Sequence, residues 1–174
     1  MSSPSPLTRV SILATPGVFA STLMQARDFF HMAGLRHGKH QGLGLVPTFE
    51  VRLVSPDGLP VTSFSGVQLP VDGPLDDEAQ LIILPAFWDD YDALCSRYPQ
   101  VFDWLRARHA AGASLCGEAN GVYWMAAAGL LEGKEATTCW RFFSEFAKRF
   151  PQVALNQDKH LTDADNLYCV AGPT

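Results

Sequence analysis

The sequence predicts an α/β protein of the flavodoxin-like type, a three-layer sandwich with a mostly parallel central sheet. Three observations carry that expectation. Leu81-Ile82-Ile83-Leu84 is apolar at every position and only four residues long, as in a parallel strand covered on both faces. Strand-like and helix-like segments follow one another in the order β-α-β, then β-α-β-α, which implies helices on both sides of a sheet. Gly117-Glu118-Ala119-Asn120-Gly121 joins a short apolar strand to an alanine-rich helix. A strand-to-helix turn this sharp needs small residues two places either side of its apex.

In chain order, Arg9 to Ala14 reads as a first strand, ended by Pro16-Gly17. Ser21 to Ala33 has helical spacing, with Leu23, Ala26, Phe30 and Ala33 on one face. Ser21 or Thr22 is the expected cap and Gly34 the stop. The stretch from Leu35 to Pro47, rich in Gly and His, reads as a loop. Phe49 to Val54 alternates as a second strand, Pro56-Asp57-Gly58 turns, and Val61 to Leu69 is expected to pair as a hairpin around Ser65-Gly66. After the Leu81–Leu84 strand, Pro99 to Ala111 is a helix with Val101, Trp104 and Leu105 inward and Asp103, Arg106 and Arg108 outward. Ala113 to Cys116 is the strand before the turn, and Val122 to Leu131 the helix after it. An extended piece at Ala136-Thr137-Thr138, a helix from about Trp140 to Phe150, and strands at Val153 to Leu155 and Lys159 to Val170 complete the reading.

The chain has 174 residues, 47% hydrophobic and 18% charged, which fits one soluble domain over 1–174 with a flexible tail at 1–8. No apolar run reaches the roughly 20 residues of a membrane span, and the start lacks the basic stretch of a secretion signal. Net charge is −5 and Lys and Arg are scattered singly, so no direct nucleic-acid binding by this segment is expected. Cys95, Cys116, Cys139 and Cys169 lie far apart without C-x-x-C spacing, which disfavours a zinc site or disulfide framework and makes a reduced cytoplasmic setting the default. His31, His37 and His40 cluster in sequence, but glycines separate them and no further ligand is evident; no metal and no cofactor are expected.

Chemistry centres on the Gly-flanked turn. Enzymes built this way carry Ser or Cys at the apex, whereas this chain carries Ala119, which has no attacking atom. Cys116, three residues earlier and inside the strand, is expected to be buried, protonated and inert. Glu118, beside the apex, is a candidate general base or a pocket-lining acid. In doubly wound sheets the ligand crevice lies beyond the carboxyl ends of the strands. Phe87 and Trp88 follow a strand end there, with Glu118, Asn120 and Gly17 nearby; these five residues are the candidates for binding a small organic ligand.

Two segments resemble a known family. Phe49-Glu50-Val51-Arg52-Leu53-Val54-Ser55-Pro56-Asp57-Gly58 and the run from Ala127 to Trp140 are similar to the ThiJ/PfpI superfamily, also called class I glutamine amidotransferase-like, and more narrowly to the N-terminal domain of AraC-type transcriptional regulators. The resemblance spans nearly the whole chain. It places the apex nine residues before Ala128, at Ala119, in agreement with the glycine spacing. It also implies a Cys at that apex in active relatives, commonly a His where Cys139 stands, and in many an acidic residue where Thr22 falls. All three positions differ here. The resemblance therefore implies a non-catalytic ligand-sensing or dimerisation domain, with a homodimer as the expected state and no DNA-binding module within the chain. The alternative is a hydrolase, hydratase or glyoxalase-like enzyme using Cys116 or Glu118.

Overall fold

The computed structural model describes residues 7–40 and 48–172, with side chains for all of these except 34–40. Five parallel strands form the middle of the sheet: β1 (Thr8–Leu13), β2 (Phe49–Ser55), β6 (Leu81–Leu84), β7 (Ser114–Glu118) and β11 (Leu167–Val170). The edge strands are β5 (Gly73–Pro74), which runs parallel, and β10 (Leu161–Ala164), which pairs antiparallel to β11. The spatial order is β10-β11-β7-β6-β1-β2-β5. Chain order reverses direction at β1 and β6, and the crevice beyond their carboxyl ends is where such sheets place a ligand. The mostly parallel flavodoxin-like sandwich is therefore the architecture of this chain.

Each face has its own apolar layer. On one side, α1 (Ala20–His40) packs Leu23, Ala26 and Phe30 against Val10, Ile12, Val51, Leu53 and Ile83. On the other, α2 (Tyr91–Arg97), α3 (Gln100–Ala110), α4 (Val122–Ala127) and α5 (Phe143–Arg149) cover Leu13, Val54, Ile82, Leu84 and Leu115. Ile12, Ile82, Leu84 and Leu115 are fully buried, each contributing about 1.5–3 kcal/mol relative to exposure.

Several sequence expectations need correction. The first helix begins at Ala20 and continues to His40 through the segment expected to be a loop from Leu35; the side chains of His37 and His40, and residues 41–47, lie outside the described set. Thr22 does not cap it, since its hydroxyl donates back to the Phe19 carbonyl at 3.0 Å. Ala33 is exposed and not on the core face. Arg108 is half-buried. Helix α2 and strand β5 had no counterpart in the sequence reading. Asp90 caps α2 by accepting from the amides of Asp92 and Ala93, the Asx-type start that a run of three aspartates and a tyrosine conceals. The helix after the turn is shorter than expected: a 3₁₀ turn at Ala119–Gly121 leads into α4, which ends at Ala127.

The hairpin is present as β3 (Val61–Thr62) and β4 (Gln68–Leu69), antiparallel. It does more than close a loop. The Gly17 amide donates to the Thr62 carbonyl, the Phe64 amide to the Val18 carbonyl, the Phe19 amide to Ala86, and the Trp88 amide to Gly17. These bonds stitch the loops after β1 and β6 and the hairpin into one platform beside the turn. Gly17 has φ +74, and a Cβ there would stand 2.6 Å from the Trp88 carbonyl oxygen. Its role is therefore close backbone approach. Two short strands, β8 (Glu135–Ala136) and β9 (Ala154–Leu155), form a separate parallel pair.

Candidate functional site

The turn at the end of β7 is built by exclusion. A Cβ on Gly117 would lie 2.8 Å from the Val122 Cα, and one on Gly121 only 2.0 Å from the Leu84 carbonyl oxygen. Only glycine allows the start of α4 to press against the carboxyl end of β6. Between them Ala119 is forced to φ +50, a left-handed conformation that costs an L-residue about 1–2 kcal/mol. Its carbonyl accepts from the buried Thr138 hydroxyl at 2.7 Å. The Ala119 methyl is packed with Ala86 and Cys139, all three buried, and with Phe19 and Phe142 against them. A Cβ at Gly172 would approach that methyl to 3.1 Å, so the chain beyond β11 also closes over it.

The structure thus brings Ala119 and Cys139 into one cluster. Thr22 is not a member of that cluster, and its hydroxyl bonds the carbonyl of Phe19, which packs against it. Cys116 and Glu118 alternate with Gly117 along β7, and Cys116 packs against the α1-side layer. Burial, with the Glu118 charge second, pushes the Cys116 thiol up to about 12. Burial likewise raises the Glu118 carboxyl above the ordinary carboxylate value. Burial also pushes the Cys169 thiol up, to about 11. Among the described residues no group of three or more His, Cys, Asp or Glu is arranged to hold a metal ion, and no helix is long and apolar enough to cross a membrane.

Asn120 turns away from the apex. Its Oδ1 accepts from the Phe87 amide at 3.2 Å and its Nδ2 donates to the Phe87 carbonyl at 2.8 Å. Both halves of the amide are spent on fixing the loop after β6. Phe87 is correspondingly a core residue, 1% exposed, packed on Tyr91 and Trp124. Trp88 is the opposite: more than half exposed, it leans toward Phe64 on one side and Phe142 on the other.

Directly beside this clamp lies a cavity of about 250 Å³. Phe87, Tyr91, Tyr123 and Phe142 supply its aromatic walls, and Asn120 borders it. Its rim is acidic, with Asp89, Asp90, Asp92 and Glu145 against a single cation, Arg149. Arg149 pairs with both oxygens of Asp92, reaches Glu145 at 3.6 Å and stands 5.2 Å over the Tyr91 ring. Two of the five candidate binding residues, Phe87 and Asn120, therefore border this cavity, while Gly17, Trp88 and Glu118 are not in its lining. The lining residues outside those five are Asp89, Asp90, Tyr91, Asp92, Tyr123, Phe142, Glu145 and Arg149. The first two carried a signal, an acidic run just past a strand end. Glu145 and Arg149 carried none, because α5 reaches the site only through tertiary packing.

No family model matches the chain. The HTH-type transcriptional regulator CdhR of Pseudomonas aeruginosa is 29% identical over 122 residues, 69% of this chain and 35% of that protein. Isonitrile hydratase of Pseudomonas putida is 30% identical over 105 residues, 60% of this chain and 46% of that protein. The matched region thus spans less than half the length of these relatives. Among solved structures, an AraC family transcriptional regulator from Pseudomonas putida superposes with a TM-score of 0.75 at 20% identity, covering 95% of this chain and 84% of that one. Drosophila melanogaster DJ-1beta superposes with a TM-score of 0.69 at 17% identity, covering 96% of this chain and 83% of that one. The chain has the fold of the DJ-1/ThiJ/PfpI proteins, and its sequence similarities run both to a transcriptional regulator and to isonitrile hydratase.

Proposed function

We propose that this chain is a non-catalytic ligand-sensing or dimerisation domain of an AraC-type transcriptional regulator, a nucleophile elbow kept for its shape. The observation that carries this reading is Ala119 at φ +50 between two glycines that have no room for a side chain. The strained turn that presents a nucleophile here presents a methyl group, and a thiol, Cys139, packs beside it where a base would be needed. A turn costing conformational energy without a reactive atom supports a retained scaffold. The exposed Met24, Phe29 and Met32 on α1 supply an apolar surface that suits self-association.

The similarity to isonitrile hydratase keeps an enzyme as the second reading, and the raised Glu118 carboxyl is the one observation on its side. Cys116 does not support it: a mid-strand thiol held near 12 is almost wholly protonated at neutral pH. The deciding experiment is the Ala119→Cys variant, alone and with Cys139→His, assayed for isonitrile hydration and glyoxalase turnover. The sensing reading expects no turnover from the wild type or from the single variant, because Cys139 offers no imidazole base. Efficient turnover by the wild type, lost on Glu118→Gln or Cys116→Ser, overturns it.

A further inference from the structure

We propose that the α1-side face of β7, β11 and β10 is a docking surface for α1 of a second copy of this chain. The inference rests on the dimerisation branch of the reading above and names the surfaces that meet.

The first support is an unfinished sheet face. Side chains alternate along β7 and β11. Leu115, Leu167 and Cys169 point to the four-helix side and are buried. Cys116, Tyr168 and Val170 point the other way and are only half-buried. The register carries that face on to β10, where Asp163 stands opposite Tyr168 and Leu161 opposite Val170. Leu161 is 55% exposed. Parallel strands are ordinarily covered on both faces. Among the described residues α1 is the helix of this side, and it lies over β1 and β2. Its flanks agree. Arg27 reaches Asp72, beside the β5 edge, at 3.3 Å. Phe29 comes two residues later, about 200° around the helix, so it faces the other flank, toward the uncovered strands, and is 58% exposed. The uncovered strip is three strands wide, about 10 Å between its outer strand axes, and a helix is about 10 Å across.

The second support says which helix. The outer side of α1 is itself uncovered, with Met24 and Met32 exposed beside Phe29. It is also a basic segment of an acidic chain: Arg27, Arg36 and Lys39 stand against Asp28 alone, whereas the whole chain carries −5. The strip has the opposite sign. Glu118 ends β7 on this face and Asp163 lies in β10, and neither has an ion-pair partner among the described residues. No Lys or Arg lies in the three strands. Helix and strip sit side by side on one molecule, so a two-fold axis makes both contacts at once, each α1 over the other copy's strip.

The test is sedimentation of the purified chain over a range of concentrations. A reversible dimer in the micromolar range is expected. Leu161→Glu and Met32→Glu place a charge in the contact from its two sides, and each is expected to weaken the dimer at least about tenfold. Both positions are exposed in the single chain, so circular dichroism and the melting temperature of the dilute variants are expected to match the wild type. Asp163→Lys reverses the charge of the strip and is expected to weaken the dimer at least about threefold. Leu59→Glu, at an exposed leucine between β2 and β3, is expected to leave it unchanged. A monomer at every concentration overturns the proposal and leaves the strip to a helix of another protein. A dimer indifferent to Leu161→Glu or to Met32→Glu, or broken by Leu59→Glu instead, overturns it too, while the dimerisation reading stands. A monomer that turns over isonitriles or glyoxal overturns both.

Discussion

Two neighbouring residues of one turn end in opposite surroundings. Ala119 packs in an apolar nest of Ala86, Cys139, Phe19 and Phe142, in which the Cys139 thiol is the one polar side-chain group. Asn120, one residue on, borders a cavity with aromatic walls and an acidic rim. The backbone of the turn is shared, and Phe142 contributes to both places. The difference teaches that the strained geometry of a nucleophile turn is separable from its chemistry. The glycines hold the shape, and what the shape is used for depends on which side of it carries polar groups.

The largest effect is expected at the shared backbone. Gly121→Ala would put a methyl 2.0 Å from the Leu84 carbonyl oxygen. Overpacking against a backbone atom of a central strand should cost about 3 kcal/mol or more, seen as loss of the folded fraction or a large drop in the urea midpoint. A mild effect would mean that the turn is not clamped against β6, and the contrast between its two sides would lose its basis.

Next is the clamp that belongs to the cavity side. Asn120→Leu removes both bonds to the Phe87 backbone and leaves a buried amide and carbonyl unpaired. A loss of about 2–3 kcal/mol is expected, with thermal unfolding as the measurement. The apex side should respond with the opposite sign. Ala119→Gly relieves a positive φ at the cost of one small buried methyl, and a net gain of about 0.5–1 kcal/mol is expected in denaturant titration. Destabilisation there would show that the methyl is a needed part of the nest.

The smallest expected effect is a pH dependence. Burial raises the Glu118 carboxyl in the folded state, so the native chain holds that proton more tightly than the unfolded chain does. Its contribution to stability is therefore present below the ordinary carboxylate value and is lost as pH rises through the raised one. Glu118→Gln should flatten that part of the stability–pH profile and stabilise the protein at neutral pH. An unchanged profile would mean that the carboxyl is solvated after all.

Much of the turn was legible in sequence because its causes are local. Two glycines spaced four apart around a small residue, between an apolar strand and an alanine-rich helix, leave few other solutions, and the coordinates put Ala119 at its strained apex. The main strands were legible for the same reason. The cap of α2 had no counterpart in the sequence reading, because Asp89-Asp90-Tyr91-Asp92 shows nothing that singles out Asp90 until it is seen to accept two amides. Phe87 was taken for a pocket wall from its place after a strand end. It borders the cavity, yet Tyr91 and Trp124 bury it in the core, and they arrive from elsewhere in the chain.

The sequence alone determined the α/β class, the parallel sheet and the methyl at the apex, since periodicity, glycine spacing and residue identity are properties of short segments. Only the tertiary structure decided what surrounds that methyl and where polar groups converge. Cys139 meets Ala119 across 20 residues, and α5 brings Glu145 and Arg149 to Asp92 from more than 50 residues away. Such contacts depend on how layers pack over the sheet, and no local pattern encodes that distance.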